Sequence, residues 1–399
     1  MNYTFSTKTR NICFILMAIG LLSLVGGFIT DSHRTWPTLL HNSFFFMAIG
    51  LGALFFMAVQ YAAEAGWSAT VKRPMEAVAS YLPLGSLIFG IVVLLSAWHF
   101  NHIYHWADPE ILHKTLENGS PNPHYDAIID GKSDFLNPIF FTIRTLVYLG
   151  GWFLFFRAFK KRSEIESEGY NVKNWKKSQS LAAWFLVFFA VTSSTSSWDF
   201  IMSIDTHWFS TLFGWYTFAG FFVSAITVIT LLVIYLKGQG LLPEVNENHI
   251  HDLGKFMFAF TIFWTYLWVS QFMLIWYSNI PEEVTYFKDR WTNYYGLFSV
   301  NLFINFFFPF LILMKRGSKR NYNTLVFAGI IILIGHWCDN YIMITPGVLK
   351  EHGHIGFIEV GTMLGFLGLF GFTVLSSLAK RPVNNPTHVF IEESLHHHI

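Results

Sequence analysis

Charge is scarce in this sequence. Asp, Glu, Lys and Arg supply 13% of its 399 residues, hydrophobic residues supply 53% and aromatic residues 19%, and the mean hydropathy is +0.42. A soluble domain carries about 25% charged residues, so the deficit excludes an ordinary water-soluble fold and reads as an integral membrane protein. The net charge of +1 excludes a basic nucleic-acid surface, and no block of like charge is long enough for an interaction tail. Cysteine is nearly absent. Cys13 and Cys338 lie in separate apolar runs, which excludes a cysteine-rich metal or iron–sulfur site within the chain and assigns any such cluster to a partner. Long stretches of alternating polar and apolar residues are also missing, which excludes an outer-membrane barrel.

Long apolar runs are what the chain has instead. About 20 apolar residues cross a bilayer core as a helix, and ten runs meet that length: 11–30, 42–63, 81–103, 136–158, 180–198, 210–236, 255–277, 292–314, 323–344 and 356–379. The first follows Lys8 and Arg10 like a signal peptide, but no small-x-small cleavage site succeeds it and more runs do, so it reads as a retained helix. The expected fold class is therefore all-α integral membrane, with its backbone bonds closed inside helices. With ten spans, seventeen Lys and Arg, from Lys8 to Arg381, share the side of both termini, and only Arg34, Lys114, Lys132, Lys288, Arg290 and Lys350 lie opposite. The positive-inside rule then places both termini in the cytoplasm.

The loop from 104 to 135 is the longest on the outer side. It carries Asp108, Glu110, Glu117, Asp126, Asp130 and Asp134 with three prolines, and reads as a periplasmic docking surface, a cover or a solvated loop. The basic segment 160–177 reads as lying against anionic lipid headgroups. Two internal echoes suggest a duplication. WHFNHIYHWADPE (98–110) resembles SQFMLIWYSNIPE (270–282), and DFIM (199–202) resembles NYIM (340–343), each pair four helices apart. Helices two to five (42–204) and six to nine (210–344) are thus expected to form two four-helix bundles within one membrane domain, with helices one and ten peripheral.

Ionisable residues inside spans are costly, by about 2.5–3.5 kcal/mol for a charge at a helix centre, so each needs a partner. Arg144 lies two turns into the fourth span and calls for a carboxylate; Asp199, Asp205 and Asp339 are candidates at matching depth. His99 and His102 on the third span, His207, and His336 on the ninth add groups that titrate near neutrality. Asp199, Asp205 and His207 are also read as caps of the sixth helix. His99, His102 and His105 drift around the helix with no EXXH pattern, so no metal site is expected, and His99 and His336 are too near the surface to face each other across a haem. The hydroxyls from Thr192 to Ser197 either bond back to their own helix or line a water chain with Thr192, Ser193 and Ser196. Glu64, Lys72 and Glu76 read as interfacial on the inner side, and Glu359 lies one turn into the tenth span.

The segment SWDFIMSIDTHWFSTLFGWY (197–216), preceded by WHFNHIYHW and set in a ten-span plan, resembles the polysulfide-reductase/NrfD-type membrane subunits, and more narrowly the second of the two such subunits of alternative complex III, over essentially the whole chain. That resemblance implies a bacterial inner-membrane subunit of a quinol:electron-acceptor oxidoreductase. It implies a homologous NrfD-like partner, a periplasmic iron–sulfur subunit, a multihaem cytochrome c subunit and a terminal oxidase as acceptor. The haem c and iron–sulfur clusters belong to those partners, and quinone or menaquinone is expected to be held close to them by the homologous subunit. For this chain it implies a polar cavity opening outward, built from His99, Arg144, Asp199, Asp205, His207, His336 and Asp339, with a quinone pocket or a proton path toward Glu64. The alternative is a proton-coupled secondary transporter made from the duplicated bundles, which predicts Gly- or Pro-broken helices at the midplane of both halves. The prolines Pro83, Pro138 and Pro309 lie near span ends instead.

Overall fold

Residues 2–116, 120–169, 171–384 and 386–398 are described by a computed structural model of the chain. Ten helices long and apolar enough to span a membrane dominate it: α1 (Thr7–Thr30), α2 (Ser32–Ala62), α3 (Gly66–Ala97), α4 (Pro138–Glu168), α5 (Val172–Phe200), α6 (Leu212–Gly238), α7 (Glu247–Ser278), α8 (Tyr295–Leu313), α9 (Tyr322–Leu349) and α10 (Phe357–Ala379). The only β character among the described residues is one isolated bridge between Thr115 and Pro121. The chain is an all-α, multi-pass integral membrane protein.

Polar caps set several helix starts within an otherwise apolar sequence. Asn137, Asn171, Asn246 and Asn321 each accept a backbone N–H of the first turn with their side chains, and Pro138 follows Asn137 where a missing N–H costs nothing. Several helices exceed their apolar runs. Apolar length alone starts α2 at residue 42, yet it begins at Ser32 and passes through Pro37, carrying Arg34, Thr38 and His41 with it. Its partner-rich outer turns are too polar to register as a span but are satisfied by neighbouring helices. The run at 81–103 misplaces α3 in both directions. This helix starts at Gly66, is interrupted at Ser80–Tyr81, and ends at Ala97, so His99 and His102 lie beyond it in a turn where His99 takes the left-handed φ of 59°.

Two closed rings of helices result. In the first bundle α2, α3, α4 and α5 each pack on the next and α5 returns to α2; in the second, α6, α7, α8 and α9 do the same. The rings join through α2 against α6 and α9, and α2 and α6 have the most buried spans of the molecule. Gly52 makes the α2–α6 approach possible, since a Cβ there would sit 2.7 Å from that of Ala225. α1 and α10 form a peripheral pair against α2.

Between lipid-exposed helices no hydrophobic driving force exists, and small residues that allow close backbone approach take its place. A Cβ on Gly365 would lie 2.6 Å from Gly20 Cα, and Gly361 and Gly368 meet Ser23 and the Cys13 carbonyl in the same way.

The two faces of the bundle differ in charge. Near the acidic face the 104–135 loop folds back over the first bundle, burying Trp106, Ile111 and Ile129, and Lys132 Nζ donates to the Thr206 carbonyl at 2.6 Å. It is a cover for its own bundle; Glu117 of this loop lies outside the described residues. At the basic face the segment 386–398 crosses both bundles. Thr387 Oγ1 donates to the Glu166 carbonyl, Ser394 Oγ to the Trp67 carbonyl, and His397 Nε2 pairs with Asp252 at 2.7 Å. His388 is 5% exposed beside Trp175. Burial, with a smaller contribution from the Lys72 charge, pushes its pKa down to about 3.

Two predictions follow from this packing. Gly365→Val forces backbone separation at the α1–α10 contact and lowers stability by about 1–3 kcal/mol, read as a lower thermal midpoint in detergent and faster proteolysis of α1. His388 is neutral when docked, and regains an ordinary pKa of about 6.5 when the segment is released. Docking is therefore intact above pH 6.5 and weakens by up to about tenfold per unit as pH falls from there toward 3. Hydrogen exchange of residues 386–398 against pH measures it, and His388→Gln flattens the profile.

Candidate functional site

Two of the buried polar clusters centre on a carboxylate near the end of a span, one in each bundle. In the first, Arg144 of α4 meets Asp199 at the end of α5. Nε donates to Oδ2 at 2.7 Å and Nη2 to Oδ1 at 2.9 Å, a two-toothed pair in which Asp199 is 1% exposed. Tyr148 Oη adds a third bond to Oδ2 at 2.9 Å, and Arg144 Nη1 donates to the Phe135 carbonyl. The guanidinium also stacks 3.8 Å from the Phe135 ring centroid. Every strong polar group here is matched, so the centre is a closed ion pair. One to two turns inward, Trp152 Nε1 donates to Thr192 Oγ1, while Thr192, Ser196 and Ser197 donate to carbonyls of their own helix. The hydroxyl run thus takes the back-bonding option, with Ser193 buried among them.

The second centre has no cation. Asp339 of α9 is 1% exposed, and its carboxylate accepts three neutral donors: Tyr216 Oη on Oδ1, Asn301 Nδ2 on Oδ1 at 2.8 Å, and Trp264 Nε1 on Oδ2 at 3.1 Å. Asn305 Nδ2 donates to Asn301 Oδ1 at 2.6 Å, extending the chain. Asn305 lies within a π-turn of α8 at Phe303–Phe307, just after Asn301, a feature that recurs at functional positions. One turn inward of Asp339 lies His336, fully buried, with neither ring nitrogen hydrogen-bonded and its ring 5.3 Å from that of Trp264. Further inward the second bundle holds buried hydroxyls: Ser224, Thr227 and Thr230 of α6 bond to their own helix, and Thr261 Oγ1 of α7 has no partner. Among the described buried carboxylates, Asp339 is the one with no cation beside it. Such a group is held by neutral donors or by a proton, which is the chemistry of a site that binds and releases one.

The remaining expected residues lie elsewhere, and a single outward cavity joining them does not form. Asp205 accepts from Arg290 Nη2 at 2.9 Å; Arg290 is 1% exposed, stacks on Tyr286 and also donates to the Ile342 and Met343 carbonyls. This fastens the turn after α5 to α9 and to the surface helix Pro281–Asn293. His207 is on the surface, 2.6 Å from Asp126 of the covering loop. Burial works to raise the Asp126 pKa, but the Ile129 N–H and His207 outweigh it and hold it below the usual carboxylate value. Glu359 pairs with Arg34 through two bonds of 2.7 and 2.5 Å and accepts from Thr38, joining α10 to α2. His99 stays at the rim beside His102, its Nδ1 without a partner.

Sequence reasoning missed several members. Tyr216, Trp264, Asn301 and Asn305 are uncharged and gave no cost signal. Arg290 stood in a segment read as a loop. His41 and Asn42 meet Trp337 between the bundles, with His41 Nε2 donating to the Trp337 carbonyl and Trp337 Nε1 to Asn42 Oδ1, both at 2.9 Å. Of Lys72 and Glu76, expected at the interface, Lys72 is buried and Glu76 partly so. Lys72 Nζ lies 2.6 Å from Glu166, which Tyr61 and Ser178 also contact, and Arg73 pairs with Glu76. Glu64 is exposed and accepts from Gln179.

A narrow pocket of about 280 Å³ lies beside Asp339, lined by Tyr216, Trp268, Gln271, Tyr286, Arg290 and Phe298 among others. Its cation is already committed to Asp205 and two carbonyls. No group of three or more His, Cys, Asp or Glu among the described residues is arranged to hold a metal. No family model matches the chain, and no curated protein matches it. The fold and buried sites define a multi-pass membrane protein of two four-helix bundles with one ion-paired and one unpaired carboxylate centre.

These two centres respond differently to substitution. Arg144→Gln leaves Asp199 without its cation and destabilises by about 3–5 kcal/mol, whereas Arg144→Gln combined with Asp199→Asn costs less than either change alone. Asp339→Asn strands no charge and shifts stability by about 1 kcal/mol. Thermal midpoints of the four purified proteins check the order.

Proposed function

We propose that this chain is a membrane subunit of a respiratory quinol-oxidising complex of the alternative complex III type, and that its role there is proton exchange at Asp339 rather than quinol chemistry. The observation that carries the proton role is the carboxylate of Asp339, buried with three neutral donors and no cation. The assignment to the complex rests on the 197–216 motif and the paired four-helix plan. Quinone or menaquinone is then bound by the homologous NrfD-like partner. Electrons pass through the periplasmic iron–sulfur and multihaem cytochrome c subunits to a terminal acceptor. The distribution of Lys and Arg supports cytoplasmic termini and a bacterial inner-membrane setting.

In this reading Asp339 takes up and gives up a proton against its fixed donors, with Tyr216 as the link to the outer pocket. His336 and the hydroxyls of Ser224, Thr227 and Thr261 lie on its inward side. The path lies in the second bundle, away from the Thr192–Ser197 run and Glu64. Arg144 and Asp199 hold the first bundle as its structural counterpart. The transporter alternative requires interruptions at corresponding helices of the two halves. The break at Ser80–Tyr81 falls on α3 and the π-turn on α8, whose counterparts α7 and α4 are continuous.

The test uses the purified complex carrying Asp339→Asn, assayed for quinol-dependent reduction of its acceptor and, in liposomes, for proton movement. Electron transfer within about twofold of the parent with proton movement lost is the expected result. Loss of quinol oxidation in an intact complex assigns Asp339 to the redox route, and no change in either assay makes it structural; both overturn the proposal.

A further inference from the structure

A second polar concentration lies at the basic face, where the ends of α3, α4 and α10 meet. A pocket opens there, with Arg73, Lys160, Lys380 and Arg381 set against the single carboxylate of Glu76. Arg73 and Arg381 are paired, with Glu76 and Glu164 respectively, while Lys160 and Lys380 form no ion pair among the described residues. Met57, Phe156 and Phe159 make the apolar wall. A shallow groove shares Phe156 and Lys160 with this pocket and continues over Phe153 and Pro83 along the lipid-facing side of α4, with Arg157 and Lys161 at its edge. Leu154, beside it, is 64% exposed.

We propose that this pocket and groove bind an anionic phospholipid, with the headgroup phosphate between Lys160 and Lys380 and an acyl chain along Phe156 and Phe153. Two properties select this ligand. The cations outnumber the carboxylates and two of them have no anionic partner, so the pocket carries surplus positive charge for a phosphate. Its apolar wall continues through Phe156 into a groove lined by Phe153, Pro83 and Ala158 and flanked by Arg157, Lys161 and Glu164, which a free phosphate leaves uncovered and an acyl chain fills. Basic pockets between spans recognise anionic headgroups in this way. The bound lipid bridges α4 and α10, which are also tied by the pair of Glu164 with Arg381 just beyond α10, so its removal loosens the peripheral pair. This site is independent of Asp339 and of the proposed function.

The experiment is native mass spectrometry of the full-length protein, alone or in the complex in which it purifies, after delipidation and addition of phosphatidylglycerol or phosphatidylethanolamine. Lys160→Gln/Lys380→Gln, both exposed and unpaired, is compared with Lys176→Gln/Lys177→Gln on the neighbouring basic loop. Several-fold preferential retention of phosphatidylglycerol by the parent, reduced about tenfold in the first variant and unchanged in the second, is the expected pattern. Equal retention of the two lipids, or equal loss in both variants, overturns the site in favour of diffuse attraction to the basic face. Thermal stabilisation by inorganic phosphate equal to that by phosphatidylglycerol identifies a soluble-anion site and overturns the lipid assignment.

Discussion

The bond pair between Arg144 and Asp199 states the constraint under which the rest of the interior is built. An arginine cannot shed its proton at any accessible pH, so once α4 carries one into the apolar layer a carboxylate must follow at hydrogen-bond distance. The same rule places Arg290 on Asp205, Arg34 on Glu359 and Lys72 on Glu166. Each of these pairs also joins segments distant in sequence: α4 to α5, the turn after α5 to the surface helix before α8, α2 to α10, and α3 to α4. Buried ion pairs are weak sources of net stability but strong determinants of which arrangement is allowed, because any alternative packing strands a charge. The apolar residues hold the helices in the membrane, and the pairs decide which helix lies beside which.

Asp339 departs from that rule, and the departure sits where the two bundles diverge. Both bundles end their last helix with a buried carboxylate that accepts a tyrosine hydroxyl, from Tyr148 in one case and Tyr216 in the other. In the second bundle the cation is missing, and Asn301, just before a π-turn, and Trp264 donate in its place. Each half thus holds a buried carboxylate, in charged surroundings in one and in neutral surroundings in the other.

The ten spans and the two four-helix bundles were legible because apolar length and a repeated order of motifs are one-dimensional properties. The need of Arg144 for a carboxylate was equally legible, since depth along a helix can be counted. What depth does not reveal is direction around the helix axis. Asp199, Asp205 and Asp339 stand at similar depth yet face Arg144, Arg290 and Tyr216 respectively, and His207 faces a loop, so a single cavity drawn from depth alone divides into separate sites. The neutral donors stayed hidden for a different reason. Asn301, Asn305 and Trp264 raise no alarm in an apolar run, and the π-turn that holds Asn305 has no sequence marker beyond Pro309 just after it. Lys72 was misjudged because its position at a helix end suggested solvent, whereas the 3-10 turn at Gly66–Val71 carries it beneath Glu166.

The glycine contact between α1 and α10 has a consequence for how the molecule is made. Gly20 and Gly365 are some 340 residues apart, which at about 5–20 residues per second corresponds to a delay on the order of 20–70 s between their synthesis. For that interval α1 stands in the bilayer with its small-residue face against lipid. Lipid tails are as apolar as a protein partner, so waiting carries little penalty. The pairing that completes the outer edge of the protein is thereby deferred to the end of insertion, when the two bundles that α1 must border are already in place.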